Sequence, residues 1–297
     1  MLIMTDLGNY KNIIFRLGGV RRQFQRHRAF ADTRSWLTDA LVRLRYRLPI
    51  LPMPFFIADF PLRLKSMRQP IFFRANVSDR ALITEIFVNG VYSKAIEIVP
   101  AKAKKILDLG GNIGVSVRLW QGYFPDADIL AVEPDSGNIS QLRKNIACGP
   151  APAKVTVIRA FAAADAGESA IDQSSGNQLA YRMAKNITPG AELIPKRAVA
   201  ELVSSFADST GGIDLLKCDV EGAEAEIFRD CKNWIKQISA AIVETHHPYT
   251  PEALLADLRL AGAQINSHFI LPNCDGIFVV LIRLERLMSP PGVPINA

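Results

Sequence analysis

Ile106-Leu107-Asp108-Leu109-Gly110-Gly111-Asn112-Ile113-Gly114 joins an apolar run to an acid and then to a glycine-rich turn. Val115-Ser116-Val117-Arg118-Leu119-Trp120 follows and can continue as a helix. A buried strand that stops at a glycine turn and restarts as a helix brings backbone N–H groups and bare backbone beside a ligand. Gly110, Gly111 and Gly114 allow the close approach that a Cβ would block. The turn therefore calls for a nucleotide-like cofactor.

Outward from this turn the chain alternates strand and helix. Strands are expected at 105–109, 128–132, 155–158, 213–218 and 238–244, with helices at 113–124, 138–147, 198–206, 223–235 and 251–261. Two closing strands are expected near 264–271 and 276–283, while 165–195 is less regular, with a turn at Ser174-Ser175-Gly176 and room for an extra hairpin or flap. The rhythm means βαβ units on a parallel sheet, closed by a hairpin-like pair.

In such sheets ligands sit outside the carboxyl ends of the strands. The first strand delivers Asp108 and the turn, and the second ends in Glu133-Pro134, 23 residues after Gly110. An acid there suits a ribose diol, accepting two hydroxyl hydrogen bonds. The fourth ends in Lys217-Cys218-Asp219-Val220-Glu221-Gly222, and the fifth in Glu244-Thr245-His246-His247. A dinucleotide fingerprint would place glycine where Asn112 stands and no acid ahead of it. A leading carboxylate is a poor neighbour for a pyrophosphate and a good one for a sulfonium or amino acid cation. This favours S-adenosylmethionine over NAD.

The chain has 297 residues, 49% of them hydrophobic, enough for one large core plus an extension. No run reaches the roughly 18 apolar residues that span a bilayer, and Met1-Leu2-Ile3-Met4-Thr5-Asp6 lacks the order of a secretory signal. Cys148, Cys218, Cys231 and Cys274 are scattered without zinc spacing and read as reduced thiols of a cytoplasmic protein. The net charge of +6 is uneven: residues 1–70 hold 13 Lys+Arg against 4 Asp+Glu. Leu37, Ala40, Leu41, Leu44 and Leu48 recur at helical spacing, with Arg43, Arg45 and Arg47 near the other face. Ile13, Ile14, Leu17, Val20 and Phe24 mark a second amphipathic segment, broken at Gly18-Gly19. These helices either dock on the core with solvated arginines or meet a membrane surface or acidic partner. No nucleic-acid reader motif accompanies the charge. Four prolines between Leu48 and Pro61 argue for an extended strap, Phe72-Phe73-Arg74 for a short strand, and Ser78-Asp79 for a helix cap. The expected organisation is a basic extension over 1–70, a catalytic domain over 71–288 and a Pro-rich tail over 289–297.

The segments Asp108 to Gly114, Glu133-Pro134-Asp135 with Asn138, Leu142 and Asn145, and Ile213 to Glu224, preceded by Ser78-Asp79 through Phe87 and Tyr92, resemble the FkbM family of S-adenosylmethionine-dependent methyltransferases. The likeness covers roughly residues 72–283. It implies the α/β class I methyltransferase (Rossmann-like) fold, a seven-stranded mostly parallel sheet with helices on both faces and its last strand antiparallel. It also implies methyl transfer, usually to an oxygen of a glycan, natural product or other small molecule. Gly110, Gly111, Asn112 and Gly114 are then expected to shape the pocket for the methionine end, with Asp108 contacting it or ordering the turn. Glu133 and Pro134 would hold the ribose, Phe161 and Ala162 flank the adenine or simply fill the core, and Asp219 and Glu221 face the sulfonium and acceptor or cap the next helix. Lys217 is expected to pair with Glu244 or Asp219.

The chemistry asks for alignment and a proton acceptor. His246 is the first candidate base, as a neutral imidazole oriented by a carboxylate, with Asp219 or Glu221 next. These three could instead hold a divalent ion; no helical ligand pair at fixed spacing supports one, and no metal is assigned. Two other classes stay open: a non-catalytic binding module on the same scaffold, and a nucleotide-dependent oxidoreductase.

Overall fold

The computed structural model describes residues 29–47, 60–74, 79–172, 182–184, 186–207, 212–273 and 276–286. The amphipathic segment near Ile13, most of the proline strap, Ser78, the turn at Ser174, Cys274 and the Pro-rich tail lie outside them. The chain divides into two compact units, Met1–Asn76 and Val77–Ala297.

In the first unit a helix over Thr33–Arg47 starts where the Asp32 carboxylate accepts the Ser35 N–H at 2.7 Å. Phe60–Leu62 pairs antiparallel with Ile71–Phe73, so the expected strand at Phe72 has its partner in the end of the proline-rich stretch. The helix leaves two leucines of the expected stripe open. Ser35, Asp39 and Val42 are buried, while Leu37 and Leu41 stand nearly half exposed. The Ser35 hydroxyl accepts the Arg63 N–H at 2.9 Å, and this bond with buried Val42 leaves Leu37 and Leu41 facing outward. Polar anchoring here outweighs apolar spacing.

The second unit carries the seven-stranded sheet. Its strands are β1 (Lys105–Leu109), β2 (Asp128–Glu133), β3 (Val155–Arg159), β4 (Leu215–Cys218), β5 (Ala240–Thr245), β6 (Gln264–Pro272) and β7 (Phe278–Glu285). Their order is β3-β2-β1-β4-β5-β7-β6. β1 to β5 run parallel, and β7 enters antiparallel between β5 and β6. This is the class I methyltransferase topology. The central strands bury nearly every residue because both faces are covered, which is why they read as continuous apolar runs rather than alternation.

The helices are α1 (Val115–Tyr123), α2 (Ser136–Ala147), α3 (Val199–Phe206), α4 (Glu224–Arg229) and α5 (Pro251–Leu260). α1 packs on α2 and α4 on α5. Strand order reverses between β1 and β4, so right-handed crossovers put these two pairs on opposite faces. Asp135 caps α2 by accepting the Asn138 N–H at 2.7 Å. The buried Arg118 guanidinium donates to the Asn145 carbonyl, and the Asn145 amide donates to the Ile113 carbonyl, locking α1 to α2.

One helix is shorter than its pattern. The helix expected over 223–235 ends at Arg229, where the chain turns at Asp230 so that buried Trp234 meets the Phe228 ring at 5.7 Å. The irregular stretch 165–195 does contain a hairpin, Ile171–Asp172 against Arg182–Met183, as well as Gly167–Ser169 paired with Ile194–Ala198. Asp79–Ile83 runs straight into a π-helical turn over Thr84–Val88, closed by the Asn89 N–H on the Thr84 carbonyl. Cys148, Cys218 and Cys231 are free thiols, the last two in the core. Among the described residues no helix is long and apolar enough to cross a membrane.

Candidate active site

The switch point between β1 and β4 opens a cleft at the carboxyl ends of the strands. β1 contributes Gly110 and Asn112, β2 Glu133 and Pro134, and β4 Asp219, Val220 and Glu221. Phe161 and Ala162, just past β3, and Met183 from the added hairpin complete one side. Gly110 is dictated by contact: its φ is +79°, and a Cβ there would lie 1.8 Å from the Asp219 carbonyl. The first and fourth strand ends touch through this glycine. Gly114, at φ +82°, opens α1 and lets its backbone reach Leu142 of α2. Gly111 also packs toward Leu142. Neither Gly111 nor Gly114 lines the cleft, and both pack toward α2.

Glu133 faces the cleft and is almost wholly buried. Its Oε2 accepts the Asn112 N–H at 2.9 Å, and its Oε1 accepts the Asp135 N–H at 3.0 Å and the Asn138 amide at 3.1 Å. Of about four lone-pair positions on a carboxylate, one remains, on Oε2. Glu133 thus keeps one acceptor position open toward the cleft, where two hydroxyl bonds were expected. Burial raises this carboxyl to about 7 against the pull of its three donors.

Asp108 does not line the cleft. It is fully buried, accepts the Trp120 indole N–H at 3.0 Å and lies 3.5 Å from the Lys217 ammonium. Burial raises its pKa while Lys217 opposes the rise. Of the two roles expected for Asp108, ordering the turn is the one this geometry serves. Lys217 also lies 3.3 Å from Asp219 and donates to the Gly110 carbonyl at 2.6 Å. Burial works against its charge, yet the carboxylates of Asp219 and Asp108 hold it well above the ordinary lysine value. Lys217 is thus a cationic rivet between two strand ends. Glu244 instead accepts the Tyr92 hydroxyl at 2.6 Å, and burial with the charges of Asp219 and Glu85 pushes it to about 8.

Asp219, Glu221 and His246 come together although they stem from two strand ends. Glu224 is what assembles them. This buried carboxylate accepts the Val220 N–H at 3.1 Å and the Gly222 N–H at 2.9 Å, and pairs with His246 Nδ1 at 2.9 Å. The loop between β4 and α4 is so held that Glu221 takes a left-handed φ of +57° and points into the cleft. His246 Nε2 stands 3.4 Å from Glu221 Oε2. Burial alone would lower the imidazole pKa; the hydrogen bond and charge of Glu224, with Asp219 and Glu221, raise it to about 9. The neutral imidazole expected near pH 7 is therefore a charged one while its carboxylate partners are ionised. Burial and the Asp219 charge lift Glu221 to about 7.

Sequence reading passed over Glu224, Asn138 as a side-chain donor, and Met183. The first two sit in the motifs already quoted, where an invisible hydrogen-bond direction decides their role. Met183 comes from a hairpin that pattern alone left undefined.

A family model described as the methyltransferase FkbM domain matches residues 108–265. The chain is similar to the hexuronic acid methyltransferase AglP of Haloferax volcanii, 26% identical over 173 residues that span 58% of this chain and 68% of that protein. It is similar to the methyltransferase sdnD of Sordaria araneosa, 26% identical over 237 residues, 68% of this chain and 89% of that one. Among solved structures, the METTL16 methyltransferase domain aligns with a TM-score of 0.48 at 11% identity, over 84% of this chain and 80% of that one.

Proposed function

The chain belongs to the methyltransferase FkbM domain family, and from that premise we propose that it transfers a methyl group from S-adenosylmethionine to a hydroxyl oxygen of a glycan, natural product or other small molecule. The observation that carries this reading is one cleft, at the strand-order switch, ringed by Glu133, Asp219 and Glu221 beside the Gly110 turn. Acids on this scale repel a pyrophosphate and favour a cationic sulfonium donor. They count against NAD chemistry, and an open, fully furnished cleft counts against a non-catalytic scaffold. The name of the Haloferax volcanii relative, a hexuronic acid methyltransferase, supports a polyhydroxylated acceptor.

In this reading Glu133 holds the ribose, Phe161 and Ala162 flank the adenine, and the backbone at Gly110 and Asn112 receives the methionine end. Lys217 and Asp108 fix the turn from beneath. The reaction is an in-line displacement in which the oxygen–carbon bond forms as the carbon–sulfur bond breaks. The sulfonium leaves readily, so the protein supplies alignment and a proton acceptor. Glu221, in the cleft, takes the hydroxyl proton, with His246 and Asp219 beside it at the acceptor end. The basic residues 1–70 are free in this scheme for a membrane surface or an acidic partner.

Calorimetric titration with S-adenosylhomocysteine tests the reading. Micromolar binding is expected, weakened tenfold or more, about 1.4 kcal/mol, in Glu133→Ala. Asp108→Asn should lower thermal stability yet change affinity less than Glu133→Ala, because Asp108 stands outside the cleft. Absence of binding in the folded wild type would remove methyl transfer as the function.

A further inference from the structure

We propose that Asp219, Glu221 and His246 form a binding site for a divalent first-row cation, placed where the acceptor hydroxyl meets the methyl donor. The purpose of the cation rests on the methyl-transfer reading; its site rests on geometry alone. One ligand-capable atom from each residue lies within 4.8 Å of the others. A single ion with ligand distances of about 2.0–2.4 Å spans such a set.

An independent observation points the same way. His246 is only 4% exposed, and its Nε2 makes no hydrogen bond among the described residues although it is aimed at Glu221. The other ring nitrogen is engaged by Glu224, which is itself held by two backbone N–H groups. A carboxylate on Nδ1 keeps a proton there, so the Nε2 proton is the one a cation displaces and the Nε2 lone pair then faces it, the arrangement by which proteins orient a metal-binding histidine. Asp219 repeats the division of labour: Oδ2 faces Lys217 at 3.3 Å, and Oδ1 is buried without a hydrogen bond among the described residues. Glu221 keeps a left-handed backbone conformation that strains a non-glycine residue, in a loop that Glu224 ties on both sides. Each of the three residues is thus anchored by the protein and turns another atom toward a shared point.

The donor set is one imidazole nitrogen and two carboxylate oxygens, without a thiolate. That mixture suits Mn²⁺ and similar ions better than sulfur-seeking ones. Acting as a Lewis acid, the cation lowers the pKa of a hydroxyl that reaches it. The O–H bond then breaks, and its proton passes to the second carboxylate oxygen of Glu221. The hydroxyl oxygen bonds to the methyl carbon, the C–S bond breaks, and its electron pair returns to sulfur, leaving S-adenosylhomocysteine and a methyl ether. No oxidant or reductant is required.

The test is titration of the full chain with Mn²⁺, reading loss of the free-ion electron paramagnetic resonance signal, beside calorimetry with S-adenosylhomocysteine in the presence of EDTA. One saturable Mn²⁺ site per chain is expected. His246→Gln and Glu221→Gln should each weaken it by about tenfold or more, and Glu224→Gln by about 10- to 100-fold, as loss of a partner that orients a ligand does. The Glu221 side chain is 20% exposed, so its variant tests the site even if the buried His246 variant fails to fold. No saturable Mn²⁺ binding, or equal binding by wild type and Glu221→Gln, overturns the cation site. If S-adenosylhomocysteine still binds in EDTA, the methyl-transfer reading survives that result. Mn²⁺ binding without any affinity for S-adenosylhomocysteine would keep the site and remove its proposed purpose.

Discussion

In the proposed reading Glu133 serves the ligand at the expense of the empty fold. Its folded pKa of about 7 lies above the ordinary 4.5, so the folded state holds this proton more tightly than the unfolded chain. Stability from this group is therefore greatest below about pH 4.5 and declines as pH rises to about 7. Ligand binding has the opposite sign, because the ionised carboxylate is the better acceptor for a ribose hydroxyl. Affinity for S-adenosylhomocysteine should thus fall about tenfold between pH 8 and pH 6 in the wild type. Calorimetry at the two pH values, beside a flat profile in Glu133→Gln, checks this; a flat wild-type profile would show that Glu133 does not hold the ligand. The sequence made the residue legible through its spacing from Gly110. It could not reveal the three donors that already occupy most of the carboxylate.

Among the elements, the turn from β1 into α1 and the loop from β4 into α4 define the cleft, and they meet at Gly110. A methyl group there would strike the Asp219 carbonyl at 1.8 Å, on a backbone whose φ is +79°. Both faults act together, so Gly110→Ala should destabilise the protein by about 3 kcal/mol or more. Chemical denaturation measures it, and a loss below about 1 kcal/mol would mean the two loops part easily. The glycine pattern announced a turn, but not that its neighbour would be Asp219. That contact joins residues more than a hundred positions apart, and only the β1–β4 pairing brings them together. The first-unit helix carries the converse lesson. Its leucine spacing marked an apolar face for the core or for a partner surface, and Ser35 and Val42 took the inner side while Leu37 and Leu41 stayed exposed.

At the scale of the whole molecule, every residue lining the cleft belongs to the unit Val77–Ala297. A chain lacking residues 1–76 should therefore retain S-adenosylhomocysteine affinity within about threefold, or about 0.65 kcal/mol, by calorimetry on folded material. A larger loss would assign the extension a part in the cofactor site. The sequence by itself determined the parallel sheet, its strand ends and the acids they carry. Continuous apolar runs alternating with helical periods have few other ways to be buried. It also brought out the family motifs and the candidates Asp219, Glu221 and His246. Only the tertiary structure decided which acid opens into the cleft and which is locked beneath it. Asp108 and Glu133 look alike at their strand ends, but Lys217 and Trp120 hold the first inward, while the second opens into the cleft. The same holds for Glu224, whose carboxylate sets the protonation of His246 across 22 residues. Hydrogen-bond direction and long-range electrostatics depend on atoms brought together by packing, and packing is not written in the spacing of residues along the chain.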